Sequence, residues 1–168
     1  GTDAVRQVGS TMKPIGAYAL ALAQDDIHWS TLFLDDYVRM EEDEKTGEVK
    51  PWPANVTQVY TQKEITVADA LAESVNTVAV RVGEVAGIRN IYNFVTQQLG
   101  ITTFVPQDVD AGPMVLGSST YGVTPYELAA AYMMFGSGGI YTTPHCYESV
   151  QTGYGKILLE PQVESRRV

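Results

Sequence analysis

Apolar side chains recur at every third or fourth position along residues 66–86, and this periodicity is the strongest constraint on the fold. Thr66 indicates a helix start, because its hydroxyl can accept a hydrogen bond from the backbone of Asp69 three residues later. The pattern continues to Gly87, a residue typical of helix ends. The stripe comprises Val67, Ala70, Leu71, Ser74, Val75, Val78, Arg81, Val82 and Val85.

Three further segments carry helical signals. Residues 10–26 and 89–99 have apolar side chains at helical spacing, and the second of these segments is followed by Gly100. The sharpest helix start is Thr124, since it is followed by proline at the first helical position and glutamate at the third. We predict that this last helix ends at Gly136.

The remaining segments are predicted to be strands and loops. Residues 140–143, 147–150 and 157–159 are predicted to be short strands separated by glycines. Residues 35–64 are predicted to form a long, mostly irregular loop or insertion. The sequence therefore predicts one mainly helical α+β unit over residues 1–168, with a small antiparallel β ribbon near its end.

Composition excludes several classes of function. Hydrophobic residues make up 45% of the 168 positions and charged residues 18%, which is typical of a folded core and excludes disorder. The net charge of −9 argues against nucleic-acid partners and against docking on anionic lipid. The single cysteine, Cys146, excludes an internal disulfide and a thiolate zinc cluster. The longest apolar run, residues 15–23, is too short to cross a bilayer.

Two groups of metal-ligating residues are predicted not to bind metal. His145 and Cys146 would point to opposite faces of a strand, and no third ligand lies nearby in the sequence. Asp35, Asp36 and the acidic residues 41–44 lack the spacing of a calcium loop. We expect this acidic region to be a solvated loop and predict no metal site.

The first candidate for chemistry is the pair Ser10 and Lys13. Residues three apart are neighbours on a helix, so the Lys13 amine can reach the Ser10 hydroxyl. A lysine with a lowered pKa can take the proton of a serine and make it a nucleophile. By itself the pattern favours the structural alternative, an N-cap serine beside a surface lysine.

The second candidate is the pair Ser74 and Asn76. Helical spacing predicts that Ser74 points to the apolar side, where a hydroxyl needs a partner and a nearby lysine could exchange protons with it. Asn76 falls where one helix can end and another begin, so its amide can hold a ligand or cap the second helix. The structural alternative is a serine bonded to its own helix and an N-cap asparagine.

Taken together, these segments resemble penicillin-binding protein transpeptidases. Residues 9–15, Gly-Ser-Thr-Met-Lys-Pro-Ile, are similar to the nucleophile motif of that family, and the preceding Arg-Gln is typical of its class A members. Residues 70–77 resemble the second motif, Ser-x-Asn. Residues 116–132 and the Gly-Gly-Ile-Tyr turn at 138–141 also resemble the class A group. The resemblance implies the fold shared by these transpeptidases and serine β-lactamases, here mainly its helical subdomain, with most of the central sheet absent.

The third motif of that family, Lys-Thr-Gly, has one match that we reject. Lys45-Thr46-Gly47 lies between the first two motifs, whereas the family places it after both, and its acidic neighbours predict an exposed loop. We expect the third motif beyond Val168, in a longer protein of which this chain is a fragment. The missing strand also carries one of the family's two oxyanion donors, so the fragment is expected to have reduced or no activity alone.

The resemblance implies a mechanism and its partners. Ser10 would attack the D-Ala-D-Ala end of a peptidoglycan stem peptide, and Lys13 would accept its proton. Ser74 would relay a proton to the leaving amine, while Asn76 would bind the peptide and orient Lys13. A neighbouring stem peptide would then complete the cross-link, and β-lactams would leave Ser10 acylated. No cofactor is implied.

The family's location and two alternative functions complete the expectation. The parent protein would carry a glycosyltransferase domain and a membrane anchor, and would work on the outer face of the bacterial cytoplasmic membrane. One alternative is a serine β-lactamase-like hydrolase, although no glutamate loop for activating water is evident. The other is a non-catalytic β-lactam-binding or sensor module that is acylated without turnover.

Overall fold

A computed structural model describes residues 3–43 and 46–168, and its centre is the helix Asn76–Ala86. Seven of the eleven residues of this helix are buried, because its apolar side chains occur on several faces. Other helical segments pack around it, so it organises the core. In chain order, the helices are a 3₁₀ turn Gly9–Met12, a π-helical stretch Pro14–Tyr18, α1 Ala19–Ala23, α2 Val67–Ala72, α3 Asn76–Ala86, α4 Ile88–Asn93 with its π-helical continuation Phe94–Gln98, a 3₁₀ turn Pro106–Asp108, α5 Ala111–Leu116 and α6 Pro125–Gly136.

Eight short strands form antiparallel pairs, and within the described ranges no larger sheet assembles. The pairs are β1 with β4, β2 with β3, β5 with β8, and β6 with β7. The strands are β1 Leu32–Leu34, β2 Arg39–Glu42, β3 Val49–Trp52, β4 Glu64–Thr66, β5 Ile140–Thr142, β6 Val150–Gln151, β7 Ile157–Leu159 and β8 Ser165–Arg167. The prediction of a mainly helical α+β unit with a small antiparallel ribbon near its end is therefore confirmed, and two further strand pairs, β1–β4 and β2–β3, lie earlier in the chain.

The predicted helix boundaries agree with the structure where a local signal defines them. Thr66 accepts a hydrogen bond from the Asp69 N–H at 3.1 Å, and Thr124 forms a reciprocal capping box with Glu127. Gly87 ends α3 with a φ of +83°, a backbone conformation that glycine adopts without strain.

Several strands were not predicted. Residues 39–42 and 49–52 pair as β2 and β3 inside the predicted loop 35–64, and residues 64–66 at its end pair with β1. The sequence signal for the strands is weak because charged residues occupy β2 and Pro51 lies in β3. No sequence signal indicated β8 either. Within the rejected motif, Lys45 lies outside the described residues, while Thr46 and Gly47 lie exposed between β2 and β3.

The segment that carries Ser10 packs against α5 through a glycine contact. A methyl group added to the buried Gly16 would overlap the carbonyl oxygen of Met114 in α5. Gly83 of α3 likewise leaves no room for a methyl group, here because of the Val115 side chain. Because Gly16 and Gly83 have no side chains, the Ser10 segment and α3 can both pack closely against α5.

This contact predicts different effects for two glycine-to-alanine substitutions. Gly16→Ala should lower the free energy of unfolding by about 1–3 kcal/mol, since the methyl group forces the two segments apart. Gly136→Ala is the matched control, because nothing lies within 4 Å of its added methyl group. At this helical position alanine should be neutral or should stabilise by up to about 1 kcal/mol. Urea unfolding of both variants measures the difference, and equal effects would contradict the packing argument.

Candidate active site

The Ser10 and Lys13 side chains differ sharply in exposure. Ser10 lies exposed in the first 3₁₀ turn, and no hydrogen bond of its hydroxyl is found in the described part of the chain. Lys13 follows that turn and is only 1% exposed. Its backbone N–H donates to the Ser10 carbonyl oxygen, so the two residues belong to one continuous helical turn. This arrangement places a solvent-exposed hydroxyl one turn from a buried amine.

Lys13 connects the two candidate motifs. Its Nζ donates to the Ser74 Oγ at 2.9 Å and to the Ser74 carbonyl oxygen at 2.6 Å. The two residues are 61 positions apart in sequence. The fold therefore brings the Ser-x-x-Lys and Ser-x-Asn segments into direct contact, through a buried group that needs these acceptors.

Burial also changes the acidity of Lys13. Desolvation lowers the pKa of its ammonium from 10.5 to about 8, because the charged form is disfavoured away from water. No carboxylate in the described ranges forms an ion pair with it to oppose that effect. Lys13 is thus a buried amine of lowered pKa, and within the described residues its Nζ is bonded to Ser74 and not to the Ser10 hydroxyl.

Ser74 does not lie on a helical stripe, which corrects the prediction from periodicity. It sits between the end of α2 and the start of α3, with a φ of +58°. Non-glycine residues adopt this left-handed conformation at a cost of about 1–3 kcal/mol, so the surroundings must maintain it. The break turns both the hydroxyl and the carbonyl oxygen of Ser74 towards Lys13.

Asn76 is the first residue of α3 and is held by the preceding loop. Its side-chain Nδ2 donates to the Ala54 carbonyl oxygen at 2.6 Å, and its backbone N–H donates to Asn55 Oδ1 at 3.0 Å. Within the described residues its amide has no hydrogen bond to Lys13. The structure thus brings Lys13 and Ser74 together, with Asn76 two residues further on.

Residues 117–123 support the segment that precedes Ser10. The Arg6 and Val123 backbones exchange hydrogen bonds of 3.1 and 2.9 Å, and Gln7 Nε2 donates to the Ser119 carbonyl oxygen. A methyl group on Gly117 would overlap the backbone of Gly9. This stretch of the sequence therefore supports the turn that carries Ser10.

Asn55 and Asp35 are residues near the site that the sequence analysis missed. Asn55 accepts hydrogen bonds from the start of α3 and Asp35 accepts one from Asn55, and both residues are buried. Asp35 was expected in a solvated loop, which is wrong. The stiff Pro51-Trp52-Pro53 segment, shortly before Asn55, was the only sequence signal for an ordered backbone here. It could not indicate the hydrogen bond of Asn55, because the bonded residue Asn76 lies 21 positions away.

The weaker candidates have ordinary structural contacts. His145 Nδ1 lies 3.2 Å from the Thr143 carbonyl oxygen, and Trp52 packs under the Arg39 guanidinium at 4.2 Å. Across residues 3–43 and 46–168, no group of three or more His, Cys, Asp or Glu side chains could hold a metal ion. The geometry thus points to the Lys13–Ser74 pair.

Comparison with known proteins agrees with this geometry. The family model for the penicillin binding protein transpeptidase domain matches residues 2–168. The chain belongs to this family. Penicillin-binding protein 1A of Clostridium acetobutylicum is 30% identical over 166 residues, and that of Clostridium botulinum (strain Langeland, type F) is 28% identical over 165. Each alignment covers 98% of this chain and 20% of the relative, so the chain spans about a fifth of these proteins.

Solved structures of penicillin-binding proteins share the fold. The chain resembles penicillin-binding protein 1A from Haemophilus influenzae with a TM-score of 0.76 and 26% identity, covering 98% of this chain and 23% of that one. Penicillin-binding protein A from M. tuberculosis, solved as an imipenem acyl-enzyme complex, has a TM-score of 0.73 and 16% identity. Here the coverage is 98% of this chain and 40% of that one. These comparisons confirm the predicted family and fold class.

Among the described residues, no helix has the length and apolar character required to cross a bilayer.

The lowered pKa of Lys13 predicts a pH-dependent stability. Between pH about 8 and 10.5 the unfolded chain holds this proton more strongly than the folded chain. The free energy of unfolding should therefore rise with pH in this window, by at most about 1.4 kcal/mol per pH unit for one proton. Lys13→Met should remove that rise, whereas the exposed Lys156→Met should keep it. Urea unfolding at pH 7.5 and 9.5 measures the difference, and an unchanged rise in Lys13→Met would contradict the burial argument.

Proposed function

We propose that this chain is the part of a peptidoglycan D,D-transpeptidase that carries its nucleophile, and that it acts through an acyl-serine intermediate. The observation that supports this most is the hydrogen bond from the buried Lys13 Nζ to Ser74 Oγ at 2.9 Å. It joins a lysine of lowered pKa, one helical turn from an exposed serine, to a second hydroxyl. Such a set of groups suits acyl transfer, which needs a nucleophile, a base and a proton relay.

In the proposed acylation step, Ser10 Oγ attacks the carbonyl carbon between the two terminal D-alanines. Neutral Lys13 takes the proton of the hydroxyl as the new C–O bond forms. The C–N bond then breaks, and a proton passes through Ser74 to the leaving D-alanine amine. The peptide remains as an ester on Ser10.

In the proposed second step, the amine of a neighbouring stem peptide attacks that ester. The new amide is the cross-link, and Ser10 leaves with a proton returned through Lys13. A β-lactam would acylate Ser10 by the same attack, since breaking the C–N bond of its ring also leaves an ester on Ser10, with the released amine still attached to the opened ring. Asn76 would bind the amide of either ligand, and the proposed steps call for no metal or organic cofactor.

The lowered pKa of Lys13 increases the fraction of neutral amine that can accept the Ser10 proton near pH 7. With a pKa of about 8, roughly a tenth of the lysine is neutral at pH 7. With the ordinary pKa of 10.5, the neutral fraction would be about 300-fold smaller. Burial therefore supplies a base without requiring an alkaline medium.

The relatives suggest the setting of the reaction. Penicillin-binding proteins 1A are about five times as long as this chain, since it covers 20% of their length. We propose that the parent protein also carries a third, Lys-Thr-Gly motif, a glycosyltransferase domain and a membrane anchor, and that it works on the outer face of the cytoplasmic membrane. Its substrates would be stem peptides that end in D-Ala-D-Ala.

Labelling by a penicillin tests the nucleophile. The parent protein should gain one penicilloyl adduct in intact-mass measurements, and Ser10→Ala should lose it completely. Thr11→Val is the matched control, because it removes the neighbouring exposed hydroxyl, which is bonded to the Val8 carbonyl oxygen at 2.7 Å, and should leave the adduct. The 168-residue chain alone should react about 10²–10³-fold more slowly if an oxyanion donor lies outside it.

The outcomes of labelling separate the alternatives. Equal labelling of wild type and Ser10→Ala would exclude Ser10 as the nucleophile. A stable adduct with no transfer to an acceptor amine would favour a binding or sensor module, and rapid release as penicilloic acid would favour a β-lactamase-like hydrolase. A folded parent protein without any adduct would exclude the acyl-serine proposal.

The pH dependence of labelling tests the base. The second-order rate of acylation should rise about tenfold per pH unit below pH 8 and level off above it, as Lys13 loses its proton. Lys13→Arg should be almost inactive across this range, since an arginine stays protonated. A flat profile between pH 6 and 9 in the wild type would contradict Lys13 as the base.

A further inference from the structure

The N-terminus of α3 is capped by a residue that is distant in sequence. Val75 occupies the cap position, and its side chain cannot accept a hydrogen bond. Instead, Asn55 Oδ1 accepts from the backbone N–H of Asn76 at 3.0 Å and from that of Thr77 at 3.3 Å. The loop before β4 thus supplies the acceptor that helix starts normally find in their own sequence.

Asn55 is itself oriented by two acceptors. Its Nδ2 donates to Asp35 Oδ1 at 2.7 Å and to the Val59 carbonyl oxygen at 3.0 Å. Since the amide nitrogen is fully used there, the amide oxygen must face α3. Asp35 therefore decides which side of the Asn55 amide meets the helix.

The Asp35 carboxylate joins three parts of the fold. Its Oδ1 also accepts from Thr77 Oγ1 at 2.6 Å, and its Oδ2 accepts from the N–H and Oγ1 of Thr61 at 3.1 and 2.8 Å. Burial alone would raise the pKa of Asp35, but the bonds from Thr77, Thr61 and Asn55 outweigh it and lower the pKa. The group is thus a charged hub, stabilised by donors and by the N-terminus of α3.

Through Asn55, Asp35 helps to hold the short connection between α2 and α3 that carries Ser74. Only Val75 separates Ser74 from the first capped residue of α3, and the left-handed backbone of Ser74 must be held against its own preference. If the start of α3 were released, the strained residue could relax and carry both of its oxygens away from Lys13. The residue that Asn55 caps, Asn76, and the residue that contacts Lys13, Ser74, are thus only two positions apart in the chain.

We propose that Asp35 and Asn55 are positioning residues of the active site, which hold Ser74 against Lys13 by capping α3 from outside. As an account of catalysis this rests on the proposed function above, since it concerns the same site. As an account of geometry it can be tested without any ligand, through the state of Lys13.

The ligand-free test follows the titration of Lys13 in the chain, which contains five lysines, by ¹³C labelling of lysine side chains. Its resonance is assigned by its loss in Lys13→Met. Asn55→Ala should raise the midpoint by about one pH unit or more from its wild-type value, because a loosened loop admits water to the ammonium. Asn90→Ala is the matched control, since Asn90 Nδ2 bonds the Ala86 carbonyl oxygen at the opposite end of α3. It should lower thermal stability and leave the Lys13 midpoint unchanged.

Isosteric variants keep the test valid if Asn55→Ala does not fold. In Asp35→Asn the new amide nitrogen must face either the Asn55 amide or the two donors of Thr61, so one contact is lost. In Asn55→Asp two carboxylates face each other. The double variant Asp35→Asn, Asn55→Asp restores the hydrogen bond between the two side chains, because the new amide at position 35 donates to the new carboxylate at position 55 and accepts from Thr61. The Val59 carbonyl oxygen still loses its donor, since a carboxylate at position 55 has no N–H. Each single variant should shift the Lys13 midpoint, and the double variant should shift it less than either single variant does.

Acylation gives the second readout and separates the two proposals. Each single variant should lose about tenfold or more in the acylation rate of the folded protein, mostly in the chemical step rather than in penicillin affinity, and the double variant should lose less than either single variant. An unchanged Lys13 midpoint in Asp35→Asn and Asn55→Asp would overturn the positioning proposal, as would an equal shift in Asn90→Ala. A shifted midpoint in these variants, together with a wild type that no penicillin labels, would leave the positioning intact and overturn the proposed function.

Discussion

A buried ammonium group dictates much of the surrounding structure. Lys13 is almost wholly removed from water, and an isolated charge in that position would cost several kcal/mol. Two oxygens of Ser74 meet it, but only because the chain breaks between α2 and α3 and places Ser74 in a left-handed conformation. That break in turn leaves α3 without a local cap, which Asn55 supplies. One buried charge thus accounts for the strained residue, the helix break and the remote cap.

The sequence predicted those elements whose signals are local. The caps at Thr66 and Thr124 and the end at Gly87 depend on residues within one turn, so the printed sequence contains all the information. The sequence offered Asn76 as a point where one helix can end and another begin, but it did not place Ser74 in the break, because the apolar spacing continues across that residue. The strands β1 and β8 escaped because each is three residues long and pairs with a segment more than twenty positions away.

The residues of the candidate site divide in the same way, into those with a local sequence signal and those without one. Ser10, Lys13, Ser74 and Asn76 were singled out from two short motifs, and the contact between Lys13 and Ser74 gives that pairing a geometric basis. Asp35 was assigned to solvent because it lies in an acidic region, where charge normally means exposure. Its burial follows from donors on Thr61, Thr77 and Asn55, whose convergence only the fold produces.

Segments outside the two motifs also support the site. Gly117 allows the α5 end to meet the Gly9 backbone directly, and Val123 fixes Arg6 by a pair of backbone hydrogen bonds. Since close packing transmits small displacements, an added methyl group at Gly117 would move the turn that presents Ser10. Acyl transfer tolerates little misplacement of its reacting groups. The resemblance of residues 116–132 to class A transpeptidases thus has a physical basis, because residues of this stretch support the turn that carries Ser10.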